Sequence, residues 1–227
     1  MIISHKYKFI FIKTAKTAGS SIEIALSKIC GPKDVITYTD KEEYSDDSLN
    51  SIRQNVNIPL KFYSKKDWRK LLRERKRKHF KGHDPASRIV QNVDERIWDN
   101  YYKFCFERNP YDKFISWYYW CGGLNRFNTM KNFIQSGIAS RVKGKSLYCI
   151  DNKIVVDEIY KFEDIESALL NIRKICKIKE EIKMPKKKFK GVQRKDQRHY
   201  SEILGDYERK WITENYSFEL KQFGYKF

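Results

Sequence analysis

The sequence is poor in the residue patterns that mark disulfide frameworks and metal sites. Its five cysteines are odd in number and widely spaced, and no two of them form a CxxC pair. Such usage argues against structural disulfides or a zinc site and favours a reducing compartment. Acidic residues are also scarce, since 29 Asp and Glu stand against 47 Lys and Arg, which gives a formal net charge of +18. This excess indicates an anionic partner or substrate without identifying the anion.

Long apolar runs are missing as well. No segment of the sequence approaches the roughly 18 apolar residues that a membrane-spanning helix needs, and residues 1–7 lack the shape of a signal peptide. We therefore expect a soluble, cytoplasmic protein with no membrane span. Hydrophobic residues make up 41% of the chain and aromatic residues 15%, which is enough for a packed core and excludes a wholly disordered chain. With 227 residues and no internal repeat, we expect a single domain over residues 1–227.

The start of the chain has the pattern of a strand, a tight loop and a helix. Residues 7–13 are a short aromatic and β-branched run, which predicts a buried strand. Apolar residues between 22 and 29 recur near helical spacing, and Gly31 and Pro32 end that helix. This order of elements is typical of the opening unit of a nucleotide-binding α/β sheet.

The middle of the chain contains a basic insertion. Residues 33–60 are polar with no clear period and predict a long surface excursion, while residues 61–81 hold eleven Lys and Arg against two acidic residues and predict a basic helix. A second basic stretch covers residues 183–198. Further strands are predicted at 101–106 and within 147–162, and further helices at 111–120, 163–176 and over most of 206–227.

The loop after the first predicted strand has the chemistry of an anion site. A turn of small residues at 14–21 points successive backbone N–H groups into a concavity at a helix N-terminus, which favours a phosphate or sulfate group. Lys16 adds a mobile positive charge, Gly19 allows close backbone approach, and the serines at 20 and 21 offer hydroxyl donors. A Walker A loop is excluded because Gly19 is followed by serine rather than by Lys and Ser or Thr. On these residues alone, an ordinary turn with a solvated lysine is the alternative.

Two segments carry a resemblance to a known family. Residues 16–21, KTAGSS, resemble the 5′-phosphosulfate loop of carbohydrate-type sulfotransferases, which use 3′-phosphoadenosine 5′-phosphosulfate (PAPS) as donor; the usual proline before the lysine is Ala15 here. Residues 108–112, RNPYD, look like the family's 3′-phosphate motif, with Ser116 eight residues after Arg108. A lone Arg-Asn-Pro is weak evidence, but it follows the first loop in the order that the family has.

Two softer matches lie further along the chain. Residues 159–164 resemble the strand-to-helix YxFED element of these enzymes, and residues 223–225 resemble their C-terminal Phe-Gly-Tyr signature. Residues 33–75 and 122–150 carry nothing that aligns. The resemblance implies an α/β fold with a central, mostly parallel sheet flanked by helices, in the P-loop NTPase-like architecture of sulfotransferases.

The resemblance also implies a donor site. PAPS would be the donor co-substrate and adenosine 3′,5′-bisphosphate (PAP) the product, and no metal is expected. Two of the expected contacts come from the second basic stretch, where related enzymes place a loop over the adenine and 3′-phosphate; a solvated charge run is the alternative there. The expected donor-binding residues are Lys16, Thr17, Ala18, Gly19, Ser20, Ser21, Arg108, Ser116, Lys190 and Arg194.

Catalysis is expected to rest on Lys16 and a histidine. Lys16 would neutralise charge on the departing 5′-phosphate, and a histidine can take the proton of an acceptor hydroxyl near neutral pH. His83, in a loop after the basic helix, is the expected base, with His79 and Asp84 as alternatives; His83 capping a turn is the other interpretation. The acceptor is expected to be a glycan, and the basic surplus suggests an anionic one such as an acidic polysaccharide.

Two other functions fit parts of the sequence. A basic nucleic-acid-binding protein would explain the charge and the basic helix, but it explains neither residues 16–21 nor the pair Arg108 and Ser116. A nucleotide-dependent phosphotransferase on a P-loop-like fold would explain the loop, but the Gly-Lys-Ser/Thr sequence and a clear Mg²⁺ carboxylate are absent. We therefore expect no nucleic-acid partner.

Overall fold

The computed structural model describes residues 1–37, 53–185 and 194–227. Its main sheet has five strands in the order β3-β1-β2-β4-β7, and a separate hairpin pairs β5 with β6. The predicted strands at 7–13 and 101–106 are confirmed as β2 and β4. The strands are β1 (Ile2–Ser4), β2 (Phe9–Ile12), β3 (Val35–Ile36), β4 (Tyr102–Glu107), β5 (Cys149–Ile150), β6 (Lys153–Ile154) and β7 (Glu158–Lys161).

The main sheet is mixed, so the prediction of a mostly parallel sheet was wrong. β2, β4 and β7 run parallel to one another, whereas β1 is antiparallel to both β2 and β3. The reason is local: the turn between β1 and β2 passes through Lys8 at φ 52° and folds the chain back as a hairpin, which only antiparallel neighbours allow. The parallel half keeps the carboxyl ends of β2, β4 and β7 at one edge of the sheet.

Helices surround the sheet, as expected for an α/β chain. The predicted basic helix is α2, and the helices predicted at 111–120 and 163–176 are α5 and α9. The helices are α1 (Gly19–Ser27), α2 (Lys65–Glu74), α3 (Ala86–Val90), α4 (Glu95–Asn100), α5 (Pro110–Trp120), α6 (Gly123–Phe127), α7 (Met130–Gln135), α8 (Lys145–Tyr148), α9 (Ile165–Ile175), α10 (Tyr200–Ile203), α11 (Asp206–Asn215) and α12 (Ser217–Phe223). In the described part of the chain, none of them combines the length and apolar character that a membrane crossing requires.

The predicted excursion at 33–60 lies partly inside the fold. Val35 and Ile36 form the edge strand β3, and the neighbouring Asp34 and Thr37 are buried. Asp34 accepts hydrogen bonds from Ser4 and from three backbone N–H groups around it, so the polar residues that suggested a surface loop instead satisfy buried backbone. Residues 38–52 of the predicted excursion lie outside the described residues.

The core follows the period-two alternation of the strands. Phe9 and Phe11 of β2 face one side, where they join Phe104 and apolar side chains of α1 and α9. Ile10 and Ile12 face the other side and pack toward α3. Successive side chains of a strand point to opposite faces, so both faces of β2 are covered by the core.

Candidate active site

The loop between β2 and α1 has a strained backbone. Lys16 and Ala18 adopt left-handed conformations, at φ 62° and 56°, which cost energy for residues other than glycine. Two side-chain contacts hold them: the hydroxyls of Thr14 and Thr17 lie 2.8 Å apart, and Thr14 also donates to the carbonyl of Phe106 at the end of β4. Left-handed residues in a turn at the N-terminus of α1 are the backbone pattern that favours an anion.

Gly19 is required by the side chain that passes beneath the loop. A Cβ atom at position 19 would lie 2.7 Å from Cγ of Lys13. Lys13 reaches under α1 to Glu23, with 2.8 Å between Nζ and Oε2, and both side chains are buried. Burial favours the neutral acid, but the amino group of Met1 and Lys13 hold the pKa of Glu23 below its usual range. Lys13 thus supports the loop from inside, a role that no sequence pattern signals.

Lys16 lies against an aromatic side chain of α5. Its Nζ is 4.6 Å from the centre of the Trp120 ring, a cation–π distance. Among the expected loop residues, Ser20 is buried and Ser21 partly exposed. The Thr17 side chain is buried and bonded to Thr14, so Thr17 can offer a ligand its backbone N–H only.

The Arg-Asn-Pro turn lies directly beside this loop. Arg108 follows β4 and donates from Nη1 to the carbonyl oxygen of Lys16 at 3.1 Å, and its guanidinium lies 4.3 Å from the centre of the Phe162 ring. Asn109 caps α5 by accepting from the backbone N–H of Tyr111 at 3.0 Å, and Pro110 occupies the first helical position, where its missing N–H costs nothing. The two segments singled out in the sequence therefore meet in one place.

One face of α5 connects the two segments. Asp112, Ser116 and Trp120 follow one another at intervals of four residues, which places them on the same face of the helix. They are partly exposed, whereas Phe114 and Tyr118 on the opposite side are buried. Eight residues at 1.5 Å each make this face about 12 Å long. Ser116 thus lies midway between Asp112, which pairs with Arg108, and Trp120, which contacts Lys16.

Asp112 joins Arg108 to a residue from the far end of the chain. One carboxylate oxygen accepts from Nε of Arg108 at 2.8 Å, and the other pairs with Arg194. Burial raises the pKa of Asp112, but Arg108 and Arg194 outweigh it and leave the pKa below its usual value. Lys190, the other expected contact from the second basic stretch, lies outside the described residues. No role for Asp112 was predicted from the sequence: Arg108 lies four residues before it, but Arg194 lies 82 residues after it and meets it only in the fold.

The two softer motif segments also pack against this turn. Glu163 accepts from the backbone N–H of Asn109 at 2.9 Å, and the hydroxyl of Tyr225 donates to the other oxygen of Glu163 at 3.0 Å. Asn109 also donates from its side chain to the hydroxyl of Tyr200 at 3.2 Å. These contacts fix the turn from which Arg108 extends.

His83 is bonded to the residue that opens the loop. Its Nδ1 lies 2.8 Å from the carbonyl oxygen of Lys13, and since a carbonyl only accepts, Nδ1 carries the proton and Nε2 keeps its lone pair. Although the side chain is exposed on one side, partial burial, followed by the positive charge of Lys13, lowers the pKa of His83 to about 4. The ring is therefore neutral at pH 7 with a lone pair at Nε2, and its lowered pKa makes it a weaker base than an ordinary imidazole.

The alternative bases are placed differently. The His79 side chain is exposed, and its Nδ1 lies 3.4 Å from the carbonyl oxygen of Arg77. Asp84 is buried, accepts from the backbone N–H of Lys81 at 2.8 Å and pairs with Arg88 at 3.1 Å. Asp84 thus fixes the His83 loop rather than facing a substrate.

The arrangement combines a turn at a helix N-terminus, one lysine and two arginines with a neutral histidine nearby, a set of groups that suits an anion. Within residues 1–37, 53–185 and 194–227, no group of three His, Cys, Asp or Glu side chains is placed to hold a metal ion. An uncharacterized protein of Archaeoglobus fulgidus is 32% identical over 109 residues, which covers 43% of this chain and 86% of the relative. No solved structure matches the chain. The model of the sulfotransferase family matches residues 1–226, and the chain therefore belongs to the sulfotransferase family.

Proposed function

We propose that the protein transfers the sulfuryl group of PAPS to a hydroxyl or amine of a carbohydrate acceptor. The observation that supports this proposal most strongly is the hydrogen bond from Arg108 to the backbone carbonyl of Lys16. This bond joins the loop at 16–21 and the turn at 108–112 into a single site. A donor with two separate anionic ends needs such a site. We also propose the P-loop-like sulfotransferase architecture, a single domain over residues 1–227 and a cytoplasmic location.

In this proposal each end of the donor has its own set of residues. The backbone of residues 16–21 and the Lys16 side chain bind the 5′-phosphosulfate. Arg108, Ser116 and Arg194 bind the 3′-phosphate, the arginines through planar guanidinium groups that match phosphate oxygens. Lys190 completes this set in the proposal. The α5 face runs between the two ends and sets their separation.

In this reaction the protein positions the donor and the acceptor and stabilises the charge that develops on the departing oxygen. The bond between sulfur and the 5′-phosphate oxygen breaks as a new bond forms between sulfur and the acceptor oxygen. Lys16 neutralises the charge that grows on the departing oxygen; two unit charges 4 Å apart at an effective dielectric of 20 interact by about 4 kcal/mol before desolvation. Nε2 of His83 takes the acceptor proton. The products are PAP and the sulfated acceptor.

The basic insertion supports an anionic acceptor. Residues 56–58 pair with residues 78–80 through backbone hydrogen bonds of 3.0 Å and 2.9 Å. The segment that contains α2 therefore lies between these two paired stretches, and the second stretch leads directly to His83. The side chains of Lys65, Arg69 and Arg73 on α2 are exposed. We propose that this surface attracts an acidic polysaccharide toward the base.

The experiment that tests the proposal is a thermal-shift titration with PAP, ATP and AMP. A ligand that binds only the folded state raises its melting temperature. We expect stabilisation by PAP well above that by ATP or AMP, with the difference lost in Arg108→Ala. Stabilisation by ATP in preference to PAP would instead support the phosphotransferase, and salt-sensitive DNA binding without any nucleotide effect would support the nucleic-acid-binding protein.

A further inference from the structure

Asp112 has an unusual set of partners. Its two carboxylate oxygens are divided between two guanidiniums, that of Arg108 from the turn after β4 and that of Arg194, which lies 82 residues beyond Asp112 in the chain. The Arg108 and Arg194 side chains are each 14% exposed and that of Asp112 is 21% exposed, so the cluster is largely but not wholly screened from water. Charge-assisted hydrogen bonds in such a setting fix the orientation of both planar groups.

These contacts fix the orientation of both guanidiniums, and with it the direction of their remaining N–H donors. Arg108 uses Nε and Nη2 on Asp112 and Nη1 on the carbonyl of Lys16. Arg194 uses Nη1 on Asp112 and its other two nitrogens on the carbonyls of Asp196 and Arg198. A guanidinium has five N–H groups, so the contacts within the described residues leave two on each arginine. With a net charge of +1 for the three side chains, the cluster still attracts an anion.

We propose that Asp112 is the positioning residue that gives this site its selectivity for a 3′-phosphorylated nucleotide. It converts two independent, repelling arginines into one rigid anion site, and Ser116, one helical turn further along the same face, adds a hydroxyl. The proposal rests on the proposed function and concerns the donor end of that site. Asp112 is not expected to touch the reacting atoms.

A competing role for Asp112 predicts the opposite effect. If the carboxylate merely occupied the place of the phosphate, its removal would free both arginines and add one positive charge, and every nucleotide anion would bind more tightly. If it positions the arginines, its removal lets them separate and only the 3′-phosphate loses contacts. The sign of the change in affinity therefore distinguishes the two roles.

The test compares PAP with AMP, which differ only in the 3′-phosphate. Isothermal titration calorimetry would give both dissociation constants for wild type, Asp112→Asn and Asp112→Glu. We expect Asp112→Asn to weaken PAP binding by roughly 10- to 100-fold, the range for losing one charge-assisted hydrogen bond. AMP binding should be unchanged, and Asp112→Glu should partly recover PAP binding. A residue with a merely structural role would change both constants together.

Two further variants complete the experiment. Arg194→Gln alone should lower the ratio of the AMP dissociation constant to the PAP dissociation constant. In the double variant with Asp112→Asn, the total change in this ratio should be smaller than the product of the two single-variant changes, as expected for residues that act as a unit. Asp206→Asn, an exposed acid at the start of α11, removes the same charge and should leave the ratio unchanged.

The outcomes separate this inference from the proposed function. Equal affinities for PAP and AMP in the wild type would overturn the donor assignment and the role of Asp112 with it. A wild type that selects PAP, with an unchanged ratio or tighter binding in Asp112→Asn, would overturn the role of Asp112 alone. A parallel loss of PAP and AMP affinity with a lowered melting temperature would reduce Asp112 to a structural residue and would also overturn it.

Discussion

Arg108 donates a hydrogen bond of 3.1 Å to the backbone carbonyl of Lys16, 92 residues before it in the chain. The bond ties the residue expected to bind the 3′-phosphate to the residue expected to act at the 5′-phosphosulfate. Because β2 and β4 are parallel neighbours, the loop after one strand and the turn after the other leave the sheet at the same edge. The adjacency of the two sites is thus a property of the sheet.

Replacement of Lys16 is expected to affect turnover more than binding. Lys16→Met keeps most of the side-chain length but removes the charge that stabilises the departing oxygen, so kcat should fall by roughly 10²- to 10³-fold, as when one transition-state donor is lost. The KM for PAPS should change less. Initial rates with radiolabelled PAPS and a uronic-acid-containing polysaccharide would measure both. Arg108→Ala is the matched variant and should chiefly raise KM; a rise in KM alone for Lys16→Met would contradict the assignment.

The low pKa of His83 predicts an unusual pH profile. A base must be neutral to accept a proton, and the His83 pKa of about 4 in the free protein keeps it neutral well below the usual range of histidine. The pH dependence of kcat/KM reports the free enzyme, so activity should persist from pH 7 to about pH 5 without an acid limb near 6.5. His83→Ala should lose transfer but bind PAP normally, and exposed His79→Ala should retain both. An acid limb near 6.5 in the wild-type profile, retained in His79→Ala, would contradict the lowered pKa of His83.

The charge on α2 is expected to act on the acceptor only. Reversal of Lys65, Arg69 and Arg73 to glutamate should weaken binding of an acidic polysaccharide and flatten its salt dependence, because fewer counterions are exchanged. The PAP dissociation constant should not change. Affinity measured at two salt concentrations would test this. Lys174, Lys177 and Lys179, exposed residues on or just beyond α9, offer a control surface for the same triple reversal. Equal losses on both surfaces would leave only a general charge effect.

Gly19 is expected to be required for stability as well as for anion binding. In Gly19→Ala the new methyl group meets Cγ of Lys13 at 2.7 Å, and Lys13 is anchored to buried Glu23, so about 1–3 kcal/mol of the free energy of unfolding should be lost. Urea denaturation measures the loss. Gly31→Ala is the control, because its nearest neighbours are at 3.5 Å. Similar stability of both variants would show that the loop tolerates a side chain at position 19.

Glu219 is expected to lower the stability of the native state as pH rises above the ordinary carboxyl range. It is buried in α12, one oxygen has no hydrogen-bond partner within the described residues, and burial followed by Glu107 raises its pKa. Between the ordinary carboxyl pKa and this raised value, the native state binds a proton that the unfolded chain has released, so stability falls as pH rises.

Glu219→Gln removes this titration. We expect Glu219→Gln to exceed the wild type in free energy of unfolding by about 1–3 kcal/mol at pH 8 and by less near pH 4.5, measured by urea denaturation at both values. Glu214→Gln, on the exposed side of α11, is the control and should follow the wild type. A difference that does not depend on pH would mean that Glu219 is ionised in the native protein throughout.

The sequence was informative where function depends on short contiguous segments. The loop at 16–21 and the turn at 108–112 were recognisable because backbone conformation and ligand contacts come from neighbouring residues. The mixed sheet was missed because β1 and β3 are three and two residues long, too short to show a period. Asp112 was missed for another reason: its importance comes from Arg194, and a contact across 82 residues leaves no local pattern.

The α5 face from Asp112 to Trp120 has a consequence for how the chain can vary. One residue inserted between these positions would rotate one end of the face by about 100° relative to the other and move Trp120 away from Lys16. Residues 121–147 form short separate helices and turns, which can absorb such changes. Related chains that keep both anion-binding segments are therefore expected to keep residues 112–120 at constant length, even where the side chains between them differ.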